Sequence, residues 1–361
     1  MQRTFFEGLR VVELAAVLAG PAVGMFFAEL GAEVVKIENK TTGGDMTRGW
    51  KNSKEDPDSP ISAYFCSINW GKKHLFLDLN EPDDRRIAEQ YLSTADIVIS
   101  NFRPSSAGRM QVDADTLCAR YPRLIFAQID AFADPEDERM AFDMVLQAEA
   151  GFLYMCGEAH RLPVRLPVAI IDLMAAHQIK EGLLMALLQR YQTGKGSIVR
   201  VSLMEAALAT LANQASNYLN TGVIPQRMGT AHPNIAPYGD IFTCADGLEV
   251  LIAAGTERQF RQLCVALDLP EYSQHPDFCT NAARVTNRNA LLEALAPAFR
   301  KFPAAILLKR CHQAGVPAGR IRDMKEVFEL PEAQAMILEE EGPKSKITRR
   351  IASVAFSMRD F

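Results

Sequence analysis

Short β-rich hydrophobic segments alternate with helical segments through the first third of this chain. Residues 9–14 and 33–38 are rich in valine, leucine and isoleucine, and Gly20-Pro21 between them marks a helix start. Proline suits the first turn of a helix because its missing N–H would be unpaired there. Further β-rich segments follow, separated by helical ones, at residues 74–79, 96–100 and 124–129. This alternation predicts an α/β fold, with a parallel sheet covered by helices.

The remainder of the chain has a different pattern. We expect a strand over residues 198–202 and one long alanine-rich helix over residues 203–219, followed by a glycine- and proline-rich loop at 221–237. A hairpin over residues 238–253 and three amphipathic helices within 256–315 then predict a smaller α+β domain. Because 361 residues exceed one hydrophobic core, we assign a large α/β domain to residues 1–200, completed by about 325–361, a linker helix and loop to 201–237, and the small domain to 238–324.

Composition narrows the function classes. The net charge is -5, and lysine and arginine do not outnumber the acidic residues, so we expect no nucleic-acid partner. The N-terminal sequence lacks the pattern of a secretion signal, and no apolar stretch approaches the ~18 residues of a membrane span, so we expect no membrane association and a cytoplasmic location. Seven scattered cysteines form no C-x-x-C pair, which argues against a metal site.

Small or polar residues follow two of the predicted strands. Ala19-Gly20-Pro21 comes after the first strand, and Asn101-Phe102-Arg103-Pro104 comes after the segment at 96–100. Ligands of open α/β sheets bind at the carboxyl ends of strands. The sequence contains no G-x-G-x-x-G and no G-x-x-x-x-G-K-[ST], so a dinucleotide or P-loop site has no support.

Six short motifs, in order and at characteristic spacing, resemble those of the class III CoA-transferase family. That family includes the formyl-CoA:oxalate and carnitine CoA-transferases and is related to the α-methylacyl-CoA racemases. The resemblance implies a Rossmann-like large domain that binds CoA, a smaller α+β domain and a dimer of interlocked rings. The motifs are Gly8-Leu9-Arg10-Val11-Val12-Glu13-Leu14, Leu18-Ala19-Gly20-Pro21, residues 30–38, Gly44-Asp45-Met46-Thr47-Arg48, Asn101-Phe102-Arg103-Pro104 and Gly194-Lys195-Gly196.

The resemblance identifies Asp172 as the catalytic nucleophile, because it follows the apolar segment 166–171 and opens a long helix. An aspartate at a helix start is also a common N-cap, and the residues alone favour that simpler role. As a nucleophile, Asp172 would move CoA between an acyl-CoA thioester and a free carboxylic acid through an aspartyl-CoA thioester. No permanently bound cofactor or metal is implied, since the CoA thioester is itself a substrate.

The same resemblance assigns CoA contacts by position. Leu18 and Ala19 match residues whose backbone lines the nucleotide, and the basic residues are expected near phosphates. Asn39 stands where several members have an arginine, and Met140 where the oxalate enzyme has a lysine. The full set of predicted CoA contacts is Leu18, Ala19, Asn39, Lys72, Lys73, Asn101, Phe102 and Arg109.

Three residues are expected to border the acyl group: Trp50, Phe142 and Asp143. Racemases of this family place a histidine before an aspartate in a G-H-D stretch, because α-proton transfer needs both an acid and a base. Phe142 occupies that position here and cannot move protons, so transferase is favoured over racemase. A non-catalytic CoA-binding member is the third possibility. We expect acyl-CoA and carboxylic acid as small-molecule partners and a second copy of the chain as the protein partner.

Overall fold

The computed structural model describes residues 4–134, 137 and 139–359. Its chain divides into two compact units, one formed by residues 1–152, 166–223 and 332–361 and the other by residues 153–165 and 224–331. The strands are β1 (Arg10–Leu14), β2 (Glu33–Asn39), β3 (Lys72–Leu77), β4 (Ile97–Ser100), β5 (Ile125–Asp130), β6 (Ser197–Ser202), β7 (Tyr238–Thr243), β8 (Glu249–Ala253), β9 (Ala318–Arg320), β10 (Ile337–Glu341) and β11 (Ile347–Ile351).

Helices connect most of these strands, and several begin at clear sequence signals. Pro82 opens the helix after β3, Asp113 caps another by accepting from the Thr116 amide, and Thr256 with Gln259 forms a capping box. The helices are α1 (Ala19–Glu29), α2 (Ala63–Cys66), α3 (Pro82–Leu92), α4 (Pro104–Met110), α5 (Ala114–Arg120), α6 (Asp143–Glu149), α7 (Phe152–Met155), α8 (Ile170–Thr193), α9 (Leu203–Thr210), α10 (Ala212–Thr221), α11 (Glu257–Ala266), α12 (Asn281–Thr286), α13 (Arg288–Phe299), α14 (Ala304–Gln313), α15 (Met324–Val327) and α16 (Pro331–Gln334).

The first unit is built on a six-stranded parallel sheet in the order β3-β2-β1-β4-β5-β6. Strand β4 is buried along its whole length and β1 at every residue but the first, as expected for a sheet covered on both faces. One buried cluster includes residues of α1, α8 and α9, and another includes residues of α3 and α5. The predicted α/β fold with a parallel sheet is therefore confirmed.

The C-terminal hairpin of β10 and β11 belongs to the first unit. Arg350 forms an ion pair of 2.7 Å with Glu29 at the end of α1, and both side chains are almost completely buried. Trp70 donates its indole N–H to the Glu339 carbonyl at 3.3 Å. These contacts fix the end of the chain to helices and loops from its first quarter.

The predicted linker at 201–237 needs correction. Residues up to 223 belong to the first unit, and α9 buries Leu203, Ala206 and Ala207 there. The helix predicted over 203–219 is broken near Leu211 into α9 and α10. Only the later part, from residue 224, belongs with the second unit, which also includes the excursion at 153–165.

The second unit contains the predicted hairpin, formed by β7 and β8, with β9 added antiparallel to β8. Four α-helices, α11 to α14, follow within the region where three were predicted. They surround a core that includes Phe260 and Phe299, and Phe299 stacks on Phe242 with ring centroids 3.9 Å apart. Among the helices of the described residues, none combines the length and apolarity needed to cross a bilayer.

Candidate active site

The order of the strands defines where a ligand crevice lies in the first unit. From β1 the chain continues outward through β2 to β3, and from β4 it continues in the opposite direction through β5 to β6. In open α/β sheets, such a reversal leaves a crevice at the carboxyl ends of the two central strands. Here it lies beyond β1 and β4, where the sequence places Leu18-Ala19 and Asn101-Phe102.

A cavity of about 220 Å³ occupies this crevice. Its walls come from the ends of β1, β4 and β5 and from the first turns of α1 and α8. Asp172 is thereby brought together with four of the predicted CoA contacts and with Phe142. The lining residues are Ala16, Val17, Leu18, Ala19, Asn101, Phe102, Arg103, Pro104, Ile129, Asp130, Ala131, Asp134, Asp137, Arg139, Met140, Ala141, Phe142, Asp172 and Leu203.

Asp172 lies in the first turn of α8 and is 7% exposed. Burial, and secondly the negative charge of Asp143, raise the pKa of the Asp172 carboxyl from 3.8 to about 7. Within the part of the chain that the structure describes, no hydrogen-bond donor reaches this carboxylate. Its oxygens therefore border the cavity without a protein partner.

Asp143 supplies the N-terminal cap of α8, which is the role that the sequence alone favoured for Asp172. One Asp143 carboxylate oxygen accepts from the amides of Ile171 at 2.7 Å and of Asp172 at 3.3 Å. The other accepts from Gln147, whose own side-chain oxygen accepts from the Leu166 amide at 3.0 Å. This chain of hydrogen bonds fixes the start of α8 and leaves the Asp172 side chain unused in capping.

The loop after β1 is held by side chains from three other segments. Asn101 accepts from the Ala16 amide at 3.1 Å and donates to the Ala16 carbonyl at 2.9 Å. Lys36 donates to the Ala15 carbonyl at 2.5 Å, and the Asp45 carboxylate accepts from the Val17 amide at 3.2 Å. Gly20 is required for the tight start of α1, because a Cβ there would lie 2.2 Å from the Cβ of Ala15.

A second cavity of about 250 Å³ lies on the other side of Phe102, beyond the ends of β2 and β3. Two further predicted CoA contacts, Asn39 and Arg109, line it. Asn39 also accepts from the Thr41 amide at 2.9 Å and so caps the short 3-10 turn that follows β2. Phe102 belongs to both cavities, and the predicted contacts therefore fall into two neighbouring groups along one edge of the sheet.

Lys72 is a correction to the predicted CoA contacts. Its ammonium forms a 2.8 Å ion pair with Glu13 and donates to the Pro21 carbonyl at 2.8 Å, and the side chain has no exposed surface. Burial, partly offset by the Glu13 charge, lowers the pKa of Lys72 to about 8. A phosphate has no access to this ammonium, so Lys72 holds β1, β3 and α1 together instead.

Lys73 and Trp50 line neither cavity. Lys73 donates to the Tyr91 hydroxyl at 3.0 Å, on the outer side of β3. Trp50 packs edge-to-face on Tyr64, with ring centroids 5.0 Å apart. For both residues the roles expected from the resemblance remain predictions.

Sequence reasoning missed Tyr64 and Arg139. Burial, and then the charges of Asp172, Asp143 and Asp45, raise the pKa of the Tyr64 hydroxyl to about 12, which places it near the two aspartates. Arg139 lines the first cavity, ion-paired with Asp137 at 2.7 Å and stacked over Phe132. No motif contains either residue, and only the folded chain brings them to the site.

The groups available for acid–base or metal chemistry are limited. None of the six histidines lines the first cavity, and Phe142 borders it at the position where a racemase has histidine. Across residues 4–134, 137 and 139–359, no three His, Cys, Asp or Glu side chains are grouped so as to hold a metal ion. The Asp172 carboxylate, which has no hydrogen-bond donor among the described residues, therefore faces a cavity whose wall is mostly apolar.

Comparison with known proteins shows the family of the chain. The profile of CoA-transferase family III matches residues 6–360. Succinate–glutarate CoA-transferase of Agrobacterium fabrum is 34% identical over 334 residues, covering 91% of this chain and 83% of that protein. Acetyl-CoA:oxalate CoA-transferase of Acetobacter aceti is also 34% identical, covering 91% and 84%. A solved CAIB/BAIF family protein from Brucella suis matches with a TM-score of 0.83 at 34% identity, covering 99% and 94%. The chain belongs to CoA-transferase family III.

Proposed function

We propose that this protein transfers CoA between an acyl-CoA thioester and a free carboxylic acid, with Asp172 as the covalent nucleophile. The observation that supports this most directly is the state of the Asp172 carboxylate. It borders the crevice cavity, and another residue supplies the helix cap that it would otherwise provide. With a pKa of about 7 it is substantially ionised at neutral pH, and its lone pairs are free to attack a carbonyl.

The reaction then proceeds in four balanced steps. The Asp172 carboxylate attacks the thioester carbonyl, which breaks the C–S bond and gives a mixed anhydride and CoA thiolate. The thiolate attacks the aspartyl carbonyl, releasing the first acid as a carboxylate and leaving an aspartyl-CoA thioester. The second carboxylate attacks the aspartyl carbonyl of that thioester, which breaks the C–S bond, releases CoA thiolate and forms a new anhydride. The thiolate then attacks the acyl carbon of the second acid, which forms the new acyl-CoA and releases the Asp172 carboxylate. Each intermediate stays activated, so one difficult exchange becomes several easier ones.

We place the CoA thioester beside Asp172 in the first cavity, with the rest of CoA running along Leu18 and Ala19 toward the second cavity. Leu18 and Ala19, at the start of α1, present amides and the positive end of the helix dipole to the first cavity. Arg109 brings a positive charge to the second cavity, where a phosphate would meet it. The apolar wall around Asp172, including Ile129 and Leu203, reduces access of water to the anhydride.

Dicarboxylic acids are the proposed acid substrates. The relatives are named for glutarate, oxalate, mesaconate and citramalate, all of which have two carboxyl groups. A second carboxylate needs a cation away from the nucleophile. Arg103 lines the first cavity, and its guanidinium forms no ion pair within the described residues. We therefore propose Arg103 as the partner of the distal carboxylate.

A homodimer is part of the proposal. The outer face of α8 exposes large apolar side chains, with Met185 at 72%, Leu188 at 61% and Tyr191 at 90% exposure. Leu184, one helical turn before Leu188, continues the same face. Such a contiguous apolar face on the helix that begins at the active site is typical of an interface. The family resemblance identifies its partner as a second copy of this chain.

Trapping the covalent intermediate tests this function. The protein is incubated with succinyl-CoA or glutaryl-CoA, treated with hydroxylamine, and analysed by peptide mass spectrometry. A hydroxamate on Asp172 is expected, together with CoA exchange into free glutarate. Asp130→Asn, at another carboxylate that lines the cavity, serves as the matched control, because it should keep the hydroxamate while Asp172→Asn abolishes it. An unmodified Asp172 in a protein that binds CoA would exclude the covalent route.

A further inference from the structure

Val17 has an unusual backbone conformation at the wall of the first cavity. Its φ angle is +74°, in the left-handed region that β-branched residues rarely adopt. A non-glycine residue is strained there, so the surrounding structure must supply the restraint. Val17 directly precedes Leu18 and Ala19, so its conformation sets the direction in which that wall faces.

Asp45 supplies much of this restraint without lining the cavity. Its two carboxylate oxygens lie 3.2 and 3.4 Å from the Val17 amide nitrogen. Neither described cavity on this edge of the sheet includes Asp45 among its lining residues, and the side chain is fully buried. Asp45 therefore reaches the ligand wall directly through the backbone of Val17 and indirectly through Lys36, which also holds the Ala15 carbonyl.

Asp45 is itself fixed on several sides. Its carboxylate accepts from the Thr47 amide at 3.0 Å and from the Thr47 hydroxyl at 2.8 Å, and forms a 3.1 Å ion pair with Lys36. Its own amide donates to Glu38 at 2.8 Å. Because all of these groups are buried, the carboxylate has little freedom to follow Val17 if the loop moves.

We propose that Asp45 is a positioning residue for acyl-CoA: it keeps Val17 in the left-handed conformation and so holds the Leu18-Ala19 wall in its ligand-binding position. This inference rests on the proposed function, since it takes the first cavity as the place of the CoA thioester. The residue acts on ligand affinity through backbone geometry, and contact with the ligand is not required.

Substitutions at Val17 and Asp45 test this coupling. Glycine adopts positive φ without strain, so Val17→Gly removes the need for the restraint. We expect Asp45→Asn to raise the Kd of coenzyme A, measured by titration calorimetry, about tenfold in the wild-type background. In the Val17→Gly background the same change should raise the Kd by about twofold or less. Asp45→Glu, which keeps the charge beside Lys36, replaces the asparagine variant if the latter does not fold.

Asp113→Asn is the matched control, because Asp113 caps α5 through the Thr116 amide and no hydrogen bond among the described residues joins it to the loop after β1. It should leave the Kd of coenzyme A unchanged. Equal effects of Asp45→Asn in both backgrounds, or no effect in either, would overturn the inference while leaving CoA binding by the wild type intact. A purely structural role would lower the melting temperature of both Asp45→Asn proteins without making Kd depend on residue 17. Failure of the wild-type protein to bind coenzyme A would instead overturn the proposed function, and this inference with it.

Discussion

Replacing Asp172 by asparagine is expected to stabilise the protein at neutral and alkaline pH while abolishing CoA transfer. In the unfolded chain the carboxyl has its ordinary pKa of 3.8, whereas in the folded protein burial and the Asp143 charge raise that pKa to about 7. Between these two values the folded state holds one more proton than the unfolded state. The free energy of unfolding of the wild type therefore falls by about 1.4 kcal/mol for each pH unit in this range.

Asparagine does not titrate, so the free energy of unfolding of the variant does not fall with pH in this way. Integrated between about pH 5 and about pH 8, the stability of Asp172→Asn relative to the wild type should increase by roughly 2–3 kcal/mol. Any fixed effect of the amide on hydrogen bonding contributes equally at both ends and cancels. Urea unfolding curves of the two proteins at several pH values measure the difference directly.

Asp113→Asn is a control whose effect on stability should not depend on pH in this range. Although burial alone would raise it, hydrogen bonds from Thr116 hold the pKa of Asp113 below its usual value. Its contribution is present above the unfolded pKa and is lost only at lower pH, so Asp113→Asn should be destabilising by the same amount throughout the range from about pH 5 to pH 8. A flat difference for Asp172→Asn as well would refute the account of Asp172 as a desolvated carboxylate.

Three further substitutions test other parts of the site. Asp143→Asn removes one of the two causes that raise the pKa of Asp172, so the acid limb of the kcat/KM profile should move to lower pH, while the asparagine oxygen can still accept from the Ile171 amide and keep the cap. Arg109→Ala should raise the KM for acyl-CoA about tenfold with a smaller change in kcat, and an unchanged KM would remove Arg109 from the CoA site. Leu188→Asp should shift sedimentation from dimer to monomer, whereas Ile306→Asp, at an exposed residue on a helix of the second unit, should not.

The sheet of the first unit was predictable because its strands have a clear sequence pattern. Residues 9–14, 33–38 and 124–129 are short apolar runs between helical segments, and the observed β1, β2 and β5 agree with them within one residue at each end. The break between α9 and α10 was not predictable, since alanine-rich sequence favours helix on both sides of Leu211. The number of helices in the second unit was underestimated because Pro270 and Thr280 divide short amphipathic segments.

The position of Asp172 was predictable, but its environment was not. A motif locates an aspartate at a helix start, and the local sequence alone favours a capping role for it. Only the fold brings Asp143, which lies 28 residues before Ile171 in the sequence, against the Ile171 and Asp172 amides. Lys72 was mispredicted for a related reason: a lysine in a turn-rich segment looks solvent-exposed, and its ion pair with Glu13 joins β3 to β1, which lie on either side of β2 in the parallel sheet.

The two aspartates at the start of α8 illustrate how one local structure separates a structural role from the chemical role that we propose. A carboxylate that accepts hydrogen bonds from helix amides has its lone pairs occupied and is therefore less available as a nucleophile. Asp143 has that environment and fixes the helix. Asp172, freed from capping and buried beside that same charge, has the opposite environment and a pKa of about 7. A nucleophile that must attack a thioester needs the second environment, and the first is what allows the fold to hold it in place.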